Sequence, residues 1–170
     1  MTDDARFEDG APQAPGTPVL LATDPEDLAV ISALVQDALL SADQIRYDRR
    51  RRRLALLLNR YCWEPRSDMA QDVPARVRSL LVFGDVRVVR AQGIRQQDRD
   101  TILSLLAIEH AATENTATEN TAATLTLRLA GDGALRLEVD CIDVVLRDLS
   151  APWPAATGRA PAHGGAAPGS

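Results

Sequence analysis

A chain of 170 residues, 45% hydrophobic and with a formal net charge of −5, is read as one globular domain and not as a general polyanion binder. No apolar run approaches the ~18 residues of a membrane span, and the acidic opening MTDDARFEDG lacks the apolar stretch of a secretory signal. Cys62 and Cys141 stand apart with no CxxC, so they are expected as reduced core residues of a cytoplasmic protein with no cofactor and no membrane contact.

Residues 1–17 are rich in Asp, Pro, Gly and Ala without a period and are expected as a disordered tail. A single domain is expected over residues 18–150, followed by a disordered Pro/Gly/Ala tail over 151–170. Val19 to Ala22 reads as a short apolar strand. Asp24 then offers an N-cap, with Pro25 at the first helical position and Glu26 and Asp27 at the positive end of the dipole. Leu28, Ile31, Leu34, Val35, Ala38 and Leu39 recur at helical spacing, which predicts an amphipathic helix of about four turns. Gln36 and Asp37 fall near its expected C-terminal end, where a carboxylate opposes the dipole unless a base compensates it.

Ile45 and Tyr47, then Leu54, Leu56 and Leu58, alternate on either side of a charged segment and predict a β-hairpin. Five consecutive arginines form its tip: Arg49, Arg50 and Arg51 as the turn, with Arg52 and Arg53 starting the outgoing strand. Charge at a tip stays in water and discourages edge-to-edge pairing, and Asp43 and Asp48 partly neutralise it. Every one of the 19 Lys-plus-Arg positions is arginine, so such a run carries less meaning here than in a balanced chain. With aromatics at 4%, a solvated tip is preferred over phosphate binding by Arg49 to Arg53.

Arg76 to Ile94 reads as two β runs around Gly84-Asp85, or as one long strand bent at a bulge. Thr101 to His110 is a further strand. The tandem ATENTATENT, Ala112 to Thr121, marks a flexible loop over 111–123. Thr124 to Leu149 alternates around a Gly131-Asp132-Gly133 turn, with 142–149 open between strand and short helix. The sum is an α+β domain, one main amphipathic helix packed on a mostly antiparallel sheet of about seven or eight strands. A partly closed barrel resembling the pleckstrin-homology superfold is the alternative.

The chemistry on offer is narrow. His110 and His163 are the two histidines, and no His/Cys cluster has zinc spacing. Gly131-x-Gly133 lacks the helix and the lysine of a phosphate loop. Asp37 with Glu64 is the one carboxylate pair to nominate for convergence, and each is read first as a salt-bridge partner. Asn59 and Arg60, adjacent on a strand, point to opposite faces. Both faces of that strand are largely apolar, and an unpaired buried guanidinium costs several kcal/mol. Arg60 is therefore expected to pair with Asp37 or Glu64. If Trp63 forms a wall beside them, Gln36, Asp37, Asn59, Arg60, Trp63 and Glu64 could hold a small anion.

The segments LLATDPEDLAVISALVQDALL, LALLLNRYCWE, QGI, LSLLAIE and LRLEVDCIDVVLRDL together resemble a bacterial family of domains of unknown function, number twenty-nine forty-eight, seen mainly in alphaproteobacteria. The resemblance spans roughly Leu20 to Trp153, with Tyr61 where the family pattern has Phe in Asn-Arg-Phe-x-Trp-Glu. It implies a small cytosolic protein without an established activity. The long arginine run and the duplicated loop depart from the family and are poor places to seek a shared function. The function expected is a non-catalytic binding or scaffold module, meeting a protein partner or a second copy through a strand edge. A weak nucleic-acid binder using the arginine tip is the alternative, and a carboxylate-based enzyme the last.

Overall fold

The computed structural model describes residues 19–62, 74–95, 99–112 and 122–154. The expected tail 1–17 and nearly all of the ATENT repeat lie outside the described residues. Period-two alternation dominates what is described, and it produces strands β1 (Val19–Ala22), β2 (Ala38–Ser41), β3 (Ile45–Asp48), β4 (Arg53–Tyr61), β5 (Ala75–Phe83) and β6 (Val86–Gln92). The chain continues with β7 (Ile102–Ala112), β8 (Ala123–Leu129), β9 (Ala134–Val139), β10 (Val144–Asp148) and β11 (Trp153–Pro154). One helix, α1 (Pro25–Leu34), lies between β1 and β2. The fold is thus α+β with antiparallel pairing, but the sheet has 11 strands where seven or eight were expected.

The excess comes from short strands, while Arg76 to Ile94 forms the first of its two expected readings, two runs around Gly84-Asp85. These are β5 and β6, which pair with different neighbours and not with each other. The segment left open over 142–149 holds strand β10. Order also continues past 150, because β11 pairs with β5. Strand pairing of β7 with β8 runs out to Ala112 and Ala123, so the loop between them is shorter than the 111–123 expected.

The strand order is β1-β10-β5-β4-β2-β7-β8-β9-β6, with β3 paired to the Arg53–Leu56 end of β4 on the edge it shares with β2. β2 joins two wings. It meets β7 along Ala38 to Ser41, yet it meets β4 through the single pair Leu39 with Asn59. Inward side chains of the two wings form one core, including Leu54, Leu56, Leu58, Leu81 and Phe83 from the first and Leu125, Leu127, Leu129, Leu137 and Val139 from the second. Each such side chain contributes about 1.5–3 kcal/mol relative to exposure.

The sheet stays open, so the partly closed barrel is not adopted. Its nearest rims, β3 and β6, are bridged without a ladder. The Tyr47 hydroxyl lies 2.9 and 3.1 Å from the carbonyl oxygens of Val86 and Arg87. The Val86 N–H donates to the Arg52 carbonyl at 2.9 Å.

The helix starts where cap chemistry places it: the Asp24 carboxylate accepts from the Asp27 N–H at 2.8 Å. Leu28 and Ile31 are buried, and α1 packs against β1 and β7. The Ser32 hydroxyl oxygen accepts the Ile108 N–H at 2.9 Å, just past an irregularity in the β7–β8 ladder. The helix ends at Leu34, short of the expected four turns. Asp37 adopts a left-handed φ of 63°, and its N–H donates to the Leu105 carbonyl at 2.8 Å. Ala38 and Leu39 therefore leave the helix for β2. The spacing was ambiguous there, because Ala38 and Leu40 bury at strand period just as Val35 and Ala38 would at helix period.

The arginine hairpin forms as expected, with Asp48 opposite Arg53. Its turn runs one residue further than expected, because Arg52 takes a left-handed φ of 56° and lies in the turn, not the strand.

Candidate functional site

Three polar residues interrupt otherwise apolar inward rows. Arg60 closes the row Leu54-Leu56-Leu58, Ser79 stands between Val77 and Leu81, and Asp148 closes Val144-Leu146. Cross-strand pairing sets Leu58 opposite Ser79 and Ser79 opposite Asp148, with Arg60 one pair further along the same face. All three are buried, with exposures of 2% for Arg60, 0% for Ser79 and 7% for Asp148. Arg60 grips the carboxylate with two bonds, Nε to Oδ1 at 2.9 Å and Nη2 to Oδ2 at 2.6 Å. The Ser79 hydroxyl donates to Oδ1 at 2.6 Å, and Arg60 Nη1 donates to the Tyr61 carbonyl at 3.0 Å.

A buried guanidinium does find a carboxylate, as its burial demands, but the acid is Asp148 and not Asp37. Glu64 and Trp63 lie outside the described residues. The sequence did carry a signal for Asp148: a carboxylate in register with apolar inward positions, matched by a base and a hydroxyl in the same register on neighbouring rows.

The remaining members of the expected cluster disperse. Asn59 faces outward beside Arg78 on β5, and its carbonyl accepts Arg76 Nη1 at 3.0 Å. Gln36 is exposed and Asp37 half-buried in the turn after α1. Asn59 and Arg60 thus do point to opposite faces.

At the hairpin tip, two of the five arginines are engaged. Arg51 meets Asp48 at 3.4 Å, and Arg52 pairs with Asp140, which also receives Arg87 Nε at 2.9 Å. Arg49, Arg50 and Arg53 are exposed and have no ion-pair partner among the described residues. The two cysteines are not joined in a disulfide and are half-buried, and both lie beyond strand ends instead of inside apolar strands. The Cys141 thiol donates to Asp85 Oδ2 at 3.1 Å. That hydrogen bond, with burial and the negative charge nearby, pushes its pKa up to about 11. Among the described residues, no group of His, Cys, Asp and Glu could hold a metal ion, and no helix is long and apolar enough to cross a membrane.

A broader feature emerges from the register of the first wing. Antiparallel partners point to the same side, so its outer face can be read row by row. One row runs Leu21, Val145, Val82, Ala55 and Arg46 across β1, β10, β5, β4 and β3. The next runs Val19, Arg147, Leu80 and Leu57. Beyond them Arg78 stands beside Asn59, and Arg76 beside Tyr61, its guanidinium 4.0 Å from the ring centroid. No carboxylate occupies these rows. Leu21 is 64% and Val19 43% exposed. Arg46, Arg78 and Arg147 have no carboxylate partner among the described residues. Sequence reading missed this face because it treated β4 as buried on both sides and had no strand order to set β1, β10 and β5 beside it.

No curated protein and no solved structure matches the chain. The family described as "Protein of unknown function (DUF2948)" matches residues 19–163, which include every described element, and the chain belongs to that family.

Proposed function

We propose that the chain is a non-catalytic binding module of the cytoplasm, and that its docking surface is the outer face of β1, β10, β5 and β4. The observation that carries this reading is the combination in those rows: apolar side chains at every strand, flanked by Arg46, Arg78 and Arg147 with no carboxylate among them. Such a face suits a polypeptide segment that brings both carboxylates and apolar anchors, since arginine recognises carboxylates through paired N–H donors. At about 4.8 Å between strands and about 3.3 Å per residue, the rows cover roughly 20 Å by 15 Å, enough for one extended segment. The buried Arg60–Asp148 pair supports this face from within by fixing β4, β5 and β10 in register.

The test is fluorescence anisotropy with a labelled peptide alternating Asp and Leu. Binding should weaken about tenfold, close to 1.4 kcal/mol, in the Arg78→Glu/Arg147→Glu variant. Duplex DNA of the same label should bind more weakly than the peptide and respond to Arg49→Ser/Arg50→Ser if it binds at all. Equal peptide binding by wild type and Arg78→Glu/Arg147→Glu would remove the face from the reading.

A further inference from the structure

The residues that precede β1 carry the chemistry this face lacks. In MTDDARFEDGAPQAPGTP, residues 1–18, Asp3, Asp4, Glu8 and Asp9 outnumber the single Arg6, and Phe7 sits among them. The spacer GAPQAPGTP that follows is uncharged. This segment joins the domain at Val19, which is itself part of the outer face and pairs with Arg147.

We propose that the acidic segment Asp3 to Asp9 is an intramolecular occupant of the outer face, setting its carboxylates against Arg46, Arg78 and Arg147 and Phe7 on the apolar rows. The inference rests on the docking reading above and names its first ligand.

Reach permits it. Ten residues from Asp9 to Val19 span up to about 33 Å at about 3.3 Å each. The four strand spacings from β1 to β3 amount to about 19 Å. Charge favours it: the segment brings four carboxylates to Arg46, Arg78 and Arg147, which have no carboxylate partner among the described residues. Tethering favours it further, because a short linker presents its own ligand at an effective concentration in the millimolar range. An external acidic peptide then has to displace the segment, so the face answers only to partners that bind more tightly than the tethered one.

The experiment compares the full chain with a full-length variant carrying Asp3→Asn, Asp4→Asn, Phe7→Ala, Glu8→Gln and Asp9→Asn. Amide chemical shifts are recorded by two-dimensional NMR at low and high salt. Residues Leu21, Leu57, Arg78, Val82 and Arg147 should move in the variant, and high salt should move wild type the same way. Leu125 and Leu137, in the second wing, should not move. A free peptide of sequence 1–18 should bind the variant at least about tenfold more tightly than wild type, as expected when the tethered copy competes. Identical outer-face shifts in the two chains would overturn the proposal. So would shifts that depend on protein concentration, which would make a second copy the occupant. If the free peptide binds both chains equally, the intramolecular occupant is overturned while the docking face stands. If neither that peptide nor the Asp/Leu peptide binds, both fall.

Discussion

The two wings share one alternation and finish their outward faces differently. On the second wing, β8 presents Thr124 and Thr126, and two of the nearby arginines have a carboxylate opposite: Arg128 meets Glu109 at 2.6 Å and Arg90 approaches Glu138 at 3.9 Å, while Arg136, opposite Thr126, has none among the described residues. The Glu109 contact holds the Arg128 guanidinium higher than its ordinary pKa. That is a solvated sheet face of the usual kind. On the first wing the outward rows hold Leu, Val and Ala, and Arg46, Arg78 and Arg147 stand there without acids, the outward Asp48 lying at the hairpin tip opposite Arg53. The same lysine-free composition supplies both wings, so genomic bias toward arginine does not explain the contrast. What differs is the placing of the carboxylates: the second wing sets Glu109 and Glu138 outward beside arginines, while the first keeps its outward Asp48 at the hairpin tip and turns Asp148 inward beneath Arg60.

The largest expected effect breaks that inward pair. Asp148→Ala should cost about 3–5 kcal/mol in urea denaturation, because it strands a buried guanidinium. Replacing both Arg60 and Asp148 with apolar residues of similar size should recover most of the loss. The matched change in the second wing, Glu109→Ala, should leave the midpoint unmoved, since both partners there are in water. If the two single changes cost the same, the distinction between the wings fails.

Gly93 sharpens the picture of the second wing. It ends β6 at a left-handed φ of 68°, and a Cβ there would lie 3.0 Å from the Asp132 carbonyl oxygen in the β8–β9 turn. Gly93→Ala should cost about 1–2 kcal/mol from backbone conformation alone, and hydrogen exchange should quicken in β6 and β9 before it quickens in β4 or β5.

At the seam between the wings, Asp85 holds the Cys141 thiol protonated. With a pKa near 11, the thiolate is scarce at pH 8.5 and grows only as pH rises toward that value. Asp85→Asn removes the acceptor charge, so the pKa should fall and alkylation of Cys141 at pH 8.5 should accelerate by at least about tenfold. Asparagine also tolerates the left-handed φ of 52° at this position. An unchanged rate would show that burial, not the carboxylate, governs the thiol.

The smallest effect belongs to the arginine tip. Arg49→Ser with Arg50→Ser should change stability by no more than about 0.5 kcal/mol per site and leave the Asp/Leu peptide affinity as it was. Arg51 and Arg52 are better left intact in this test, because Asp48 and Asp140 engage them.

Local rules were legible in the sequence, and long-range ones much less so. Asp24 and Pro25 marked the helix start because capping is chemistry within one turn. The end was misplaced because Ala38 and Leu39 satisfy two periods at once and only the Asp37 turn separates them. The hairpin could be read from alternation around the arginines. The partner of Arg60 could not be found by proximity, since Asp148 lies 88 residues away. It could be found by register, as a carboxylate at the end of an apolar row. The apolar outer face needed the strand order itself, because Leu21, Val145, Val82 and Ala55 come from four strands scattered along the chain.

The placing of β10 in the centre of the first wing has a consequence for synthesis. β7, β8 and β9 follow one another and pair in sequence, so their meander can assemble as it is made. β1 and α1 are made first, yet β1 has β10 as its partner strand, and Arg60 awaits Asp148. Until β10 is made, the growing chain holds an early strand with an open edge and a guanidinium deprived of its carboxylate. A stall or premature stop before Val144 therefore leaves a species with an assembled second wing and an unfinished first, the kind of partly folded product that chaperones and proteases recognise.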